Sequence, residues 1–176
     1  LSEEDIDEQF GIISNQNTSL EELLKSLITI EQQSKFSEVS NCIHEKEYYT
    51  ILFELLKDTE KMTNPLIILH FLNIMKSILY LPGEKFVQIL LTDFQEIFKA
   101  IADEYFNGPP EIVDAFFETF LTIMRPPIDI SFVDYYMNFF VIYLHFHNPC
   151  QEPLLTLKSF QCCNQMFNIS HKGLQT

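Results

Sequence analysis

Near one end of this 176-residue chain, imidazoles and thiols crowd together: His145, His147 and Cys150 stand within six residues, with Cys162, Cys163 and His171 downstream. Imidazole and thiolate are the donors of a tetrahedral zinc site. The spacing matches no finger pattern, however. His145 and His147 lie two apart at the end of a helical pattern, so they point to different sides unless the helix has already unwound. Histidines at a helix C-terminus are also favoured by the helix dipole alone. The sequence therefore implies neither a metal nor a cofactor.

A second group is acidic. Glu111, Asp114 and Glu118, at spacings of three and four, share one helical face, while Ile112, Val113, Phe116, Phe120 and Leu121 take the other. With Asp103, Glu104, Asp129 and Asp134 they make residues 101–150 the most acidic stretch after the N-terminal segment, with Arg125 as the only fixed positive charge. Repulsion within such a face costs stability, a cost that suits either an ordinary solvated surface or a basic ligand. Paired carboxylates could also move protons, yet the sequence offers them no nucleophile or oxyanion donor.

The third group is a polar stripe along two helical patterns: Gln88, Thr92, Gln95, Lys99 and Asp103 on the first, Ser131, Asp134, Asn138 and His145 on the second, beside Tyr135. Amides and hydroxyls set among aromatic rings can satisfy an extended peptide backbone while the rings pack its side chains. Any amphipathic helix carries a polar stripe too. No glycine-rich phosphate loop, G-x-S-x-G, H-E-x-x-H or C-x-x-C occurs, and four glycines leave little material for a phosphate cradle. No enzymatic activity is expected.

The elements that would position these residues are helical. Ser19-Leu-Glu-Glu22 reads as a capping box opening a helix with Leu20, Leu23, Leu24, Leu27 and Ile28 on its apolar face. Further helices are expected over Glu45–Asp58, Pro65–Tyr80, Glu84–Tyr105, Pro110–Met124, Asp129–Phe146 and Pro153–Ile169, with Asn64-Pro65 as a helix start and Pro/Gly punctuation between. The prolines are periodic: Pro65 to Pro109, Pro109 to Pro153 and Pro82 to Pro126 are each 44 residues. At that offset apolar positions largely coincide, among them Ile68 with Ile112, Leu72 with Phe116, Ile97 with Val141 and Phe98 with Ile142.

On this period, helix pairing and punctuation, residues 19–170 resemble the armadillo/HEAT class of α-solenoids. The resemblance implies an all-α, right-handed superhelix of antiparallel helix pairs, about three and a half repeats over 19–176, belonging to a longer solenoid. Residues 1–18 read as an acidic lead-in, flexible over the first dozen. It also implies that the second helices line a concave face that holds partners. Importin-type members bind basic peptides along an acidic groove with a ladder of tryptophan and asparagine; this chain has no Trp.

The net charge of −14 with no Lys/Arg cluster argues against nucleic acid and anionic membrane surfaces, which need basic patches, and suits a basic peptide or protein. Acidity also keeps a chain with 17 Phe soluble. The four cysteines, with Cys162 and Cys163 about 100° apart on a helix, suit packing in a reducing compartment. Pro65–Leu81 and Ile130–Phe146 are apolar, but at roughly 17 residues with Lys76 or Asp134 inside they fit buried helices better than membrane spans. The expectation is an intracellular, non-enzymatic protein-binding scaffold or adaptor, in the cytoplasm or nucleus, recognising a partner segment on an acidic, polar concave face. Basic cargo, as in nuclear transport, is its sharper form. The alternative is a structural or regulatory subunit that docks through apolar surfaces.

Overall fold

The computed structural model describes residues 2–79, 93–123, 130–147 and 150–175, with the side chains of 123, 130–135 and 169–175 outside that description. Among the described residues the chain is all-α, with ten helices and no strand, and it divides into two compact units, Leu1–Ile101 and Ala102–Thr176. No helix is long and apolar enough to cross a membrane among the residues described.

The first unit holds α1 (Glu3–Ser14), α2 (Leu20–Gln33), α3 (Ser37–Glu45), α4 (Tyr49–Leu55), the short α5 (Thr59–Met62) and α6 (Pro65–Ile78). The acidic start of the chain, expected to be flexible, is instead a capped helix. Ser2 Oγ accepts from the Asp5 amide at 3.2 Å, and the Asp5 carboxylate accepts from the Ser2 amide at 2.8 Å. Ile6, Phe10 and Ile13, spaced four and three apart, are buried, and α1 packs on α2 and α4. Its acids serve as an anchor: Lys46 Nζ lies 2.7 Å from both Glu3 and Asp7, the Tyr48 hydroxyl donates to Asp7 at 2.6 Å, and Phe10 stacks on Tyr48 with centroids 4.5 Å apart. Charge density had concealed this amphipathic face.

The expected capping box at Ser19 and Glu22 forms, with the two reciprocal bonds at 3.2 and 3.4 Å. So does the Asn64 cap, whose Oδ1 accepts from Leu66 and Ile67 ahead of Pro65 at the first helical position. Leu23, Leu27 and Ile30 of α2 and Ile67, Phe71, Ile74 and Met75 of α6 bury the seam between those helices. Each such side chain contributes about 1.5–3 kcal/mol by leaving water. Polar links flank the seam, with the Glu31 carboxylate paired to His70 and accepting from Asn73 Nδ2 at 2.8 Å.

A helix was expected over Glu45–Asp58; the structure shortens it to α4, Tyr49–Leu55, and places before it α3, which was not expected and ends at Glu45. The Glu47 amide donates to the His44 carbonyl at 3.2 Å, and the Tyr48 amide reaches back to the Ile43 carbonyl at 3.0 Å. With Glu47 at φ 54° this is a Schellman stop whose left-handed residue is not glycine. Nothing in the residue types announced it.

The second unit begins at Ala102, inside α7 (Gln95–Tyr105), and contains the end of that helix with α8 (Pro110–Ile123), α9 (Ile130–Phe146) and α10 (Pro153–Gln175). α10 packs on both α8 and α9. Rings join α8 to α9: Phe117 lies 5.2 Å from Phe140, and Phe120 lies 4.7 Å from Phe140 and 5.2 Å from Tyr136.

α6 and α8 are both 14 residues long, and their starts, Pro65 and Pro110, are 45 residues apart. At that shift Ile67, Ile68, Phe71, Leu72, Ile74 and Met75 fall on Ile112, Val113, Phe116, Phe117, Thr119 and Phe120, all buried. The next proline start, Pro153, comes 43 residues later, which keeps the mean spacing at 44. The 44-residue alignment does not hold for α7 and α9: Ile97 and Phe98 are buried, whereas Val141 and Ile142 are 55% and 48% exposed. The remaining segment expected as helix, 84–92, and the prolines at 82 and 126 lie outside the described residues.

Candidate functional site

After α7 the chain turns through Phe106-Asn107-Gly108-Pro109 into α8. The turn is close, with the Gly108 amide donating to the Tyr105 carbonyl at 2.9 Å, and a Cβ at Gly108 would meet Tyr105 at 3.0–3.2 Å. Glycine at this position therefore lets the chain fold back against α7. That return sets Phe106 edge-on to Phe139 at 5.4 Å and to Tyr143 and His147 at 5.8 Å each.

Between these elements lies a cleft of about 540 Å³. Ala102, Asp103, Phe106 and Asn107 form one wall, and Asn138, Phe139 and Ile142, on successive turns of α9, form the other. Its floor is apolar and aromatic, and its rim carries one carboxylate and two amides. This is the chemistry of sites that bury an apolar group and fix it by a few polar contacts. Asp103, Asn107 and Asn138 are all exposed.

Behind the floor, Tyr143 stacks on His147 with centroids 3.9 Å apart, and His147 Nδ1 lies 2.7 Å from the Glu152 carboxylate. The Tyr143 hydroxyl and His147 Nε2 are buried with no hydrogen-bond partner among the described residues. Burial, with Glu152 nearby, pushes the Tyr143 phenol up to about 12.

Of the residues singled out in the sequence, Asp103 and Asn138 meet in this cleft. Gln95 and Lys99 lie on α7 in the first unit and do not line it. Ser131 and Asp134 fall on α9 where side chains are outside the description; Gln88 and Thr92 lie outside the described residues. Glu111 is exposed at the start of α8. Asp114 and Glu118 are engaged by Lys158 of α10, which sits 2.9 Å from Glu118 and pairs with Asp114. Burial of Lys158 opposes its charge, and the two carboxylates outweigh that effect, holding the ammonium above its ordinary value. The acidic stripe is thus not one open row. Phe106 and Phe139 went unremarked in the sequence because turn and core residues look alike there; Asn107 was read only as a helix end and Ile142 only as an apolar repeat position matching Phe98, so neither was seen beside the polar stripe.

His145 is exposed, Cys150 is exposed, and Cys162 is fully buried, its Sγ 3.9 Å from the Phe117 carbonyl. Burial holds the Cys162 thiol well above the ordinary range and raises that of Cys163, so both stay protonated at neutral pH. Among the described residues no three of His, Cys, Asp and Glu are grouped to hold a metal, and the His171 side chain lies outside them. Against known proteins, the chain matches no family model, no curated protein and no solved structure.

Proposed function

We propose that this protein is a non-enzymatic protein-binding scaffold or adaptor that recognises a partner segment at the cleft between the end of α7 and α9. The observation that carries this reading is the meeting of Asp103 and Asn138 across a floor of Phe106, Phe139 and Ile142. A bulky apolar side chain of the partner fills the floor, and the rim amides take the backbone polar groups beside it. The net charge of −14 selects among partners, favouring a segment with basic residues next to its apolar anchor.

We read the architecture as an armadillo/HEAT-like right-handed solenoid of antiparallel helix pairs, with basic cargo, as in nuclear transport, as the sharper function and the cytoplasm or nucleus as its place. Supporting this are the three proline-started helices at a mean spacing of 44 residues and the coincident buried faces of α6 and α8. Because Lys158 engages Asp114 and Glu118, the basic partner is read by the cleft rim and Glu111 and not by the whole stripe.

Selection of a random peptide library on the wild-type protein, with counter-selection on Ile142→Asp, tests the reading. Enriched peptides should share one aromatic or large aliphatic residue flanked by Lys or Arg and should not bind the variant. Peptides retained equally by both proteins would defeat it.

A second reading, a structural or regulatory subunit docking through apolar surface, is favoured by one feature: the outward face of α10 exposes Leu154, Leu157, Phe160 and Phe167.

A further inference from the structure

Within the first unit, α1 and α2 enclose a polar cleft of about 580 Å³. Part of its lining is spent on the chain itself. Asn15 Oδ1 accepts from the Asn17 amide at 3.0 Å, the Thr18 hydroxyl donates to the Ile12 carbonyl at 2.8 Å, the Thr29 hydroxyl donates to the Lys25 carbonyl at 2.9 Å, and Glu22 holds the capping box of α2. Four further lining side chains, Glu8 and Gln9 on α1 and Lys25 and Ser26 on α2, make no hydrogen bond or ion pair among the described residues.

Ser26 separates this cleft from an ordinary solvated surface. The residue is 2% exposed, and a hydroxyl buried to that degree is normally paired, yet this one lines the cleft without a partner among the described residues. Gly11 is the second sign. Glycine inside a helix gives up stability relative to alanine, and no packing asks for it here, because a Cβ at Gly11 would meet nothing within 4 Å. Its bareness leaves a hollow in the α1 wall of the cleft.

The two walls differ in charge and in hydrogen-bonding sense. On α2 the Lys25 ammonium and the Ser26 hydroxyl can donate; on α1 the Glu8 carboxylate and the Gln9 side-chain carbonyl can accept. Glu8 and Lys25 form no ion pair with each other or with any other described residue. A ligand with one charge would answer one wall and leave the other unmatched, whereas a ligand carrying both charges answers both.

We propose that this cleft binds a small zwitterion, a free amino acid or short peptide, with its carboxylate on Lys25 and Ser26, its ammonium on Glu8 and Gln9, and a side chain in the hollow at Gly11. The site lies in the first unit and does not depend on the cleft beside α9. Glu8 and Lys25 are exposed, so water and salt screen their attraction and the ligand binds weakly, with a Kd of about 1 mM.

Titration of the whole isotope-labelled chain with trialanine, followed by amide chemical shifts, tests this. The shifts should saturate and be confined to the turns of α1 and α2 that line the cleft. N-acetyl-trialanine and trialanine amide, each lacking one of the two charges, should bind about fivefold more weakly. Lys25→Gln should bind trialanine and its amide equally, and Glu8→Gln should bind trialanine and its acetylated form equally, a selectivity that a merely structural role of either residue would not produce. Ser26→Ala should weaken binding about threefold. Gly11→Leu, which places a better helix former in open space, should abolish binding with no loss of thermal stability. Alanine titrated in parallel distinguishes a free amino acid from a short peptide by which of the two saturates first. No saturable shift up to about 20 mM, equal affinity for all three forms of trialanine, or binding indifferent to both Lys25→Gln and Glu8→Gln overturns the proposal.

Discussion

Lys158 of α10 pairs with Asp114 of α8, the residue 44 positions earlier in the chain, and reaches Glu118 one turn further along the same face. The period seen in the prolines is thus also the separation of two residues that touch. One cation holds two carboxylates that would otherwise repel across a helical turn. Lys158→Met keeps the stem and removes the charge. It should cost about 1 kcal/mol in urea denaturation, a figure kept small because Asp114 and Glu118 are partly in water. Unchanged stability would mean that the pair contributes nothing.

How far the sequence spoke depended on whether the signal was local. The Ser19–Glu22 box and the Asn64–Pro65 start formed because a cap needs only residues three apart to act on their own backbone. The helix at Glu3–Ser14 was missed because its stability lies in contacts with Lys46 and Tyr48, some forty residues away, which turn an acidic segment into an anchored one. At the cleft, Asp103 and Asn138 were legible as polar positions on helices. Their meeting depended on the turn at Gly108 and the ring of Phe106, and neither advertises itself in a chain with 17 Phe.

Glu47 ends α3 at φ 54°, where a side chain crowds the backbone and glycine does not. Glu47→Gly should raise stability by roughly 1 kcal/mol. A loss of stability in thermal unfolding would show that the Schellman stop depends on the glutamate side chain.

Asp7 receives the Lys46 ammonium and the Tyr48 hydroxyl, and both hold its carboxyl below the usual range. A carboxyl whose folded value is depressed contributes stability that is present above its unfolded value, about 4, and is lost as pH falls through the folded value. Wild type and Asp7→Asn should therefore differ in denaturation midpoint at neutral pH and converge in strong acid. A constant difference down to pH 2 or so would assign the effect to packing.

Tyr143 has a buried hydroxyl without a hydrogen bond among the described residues, and its phenol is pushed up to about 12. A raised phenol favours the fold fully below the unfolded value, near 10, and that contribution falls away between there and the folded value. Ultraviolet titration should show a tyrosine ionising only at the top of this window. Tyr143→Phe removes the unmatched hydroxyl and should be stabilising by roughly 1 kcal/mol; a clear loss would reveal a partner for that oxygen.

The account turns on the cleft, and its most direct test is the affinity of a library-selected peptide for the wild type, Asn138→Ala and Ile142→Asp. The account predicts that Asn138→Ala weakens binding about tenfold and Ile142→Asp at least about a hundredfold, with chemical-shift changes confined to the turns holding Ala102–Asn107 and Asn138–Ile142. Binding that survives both substitutions, or shifts that cluster on α10, would contradict it.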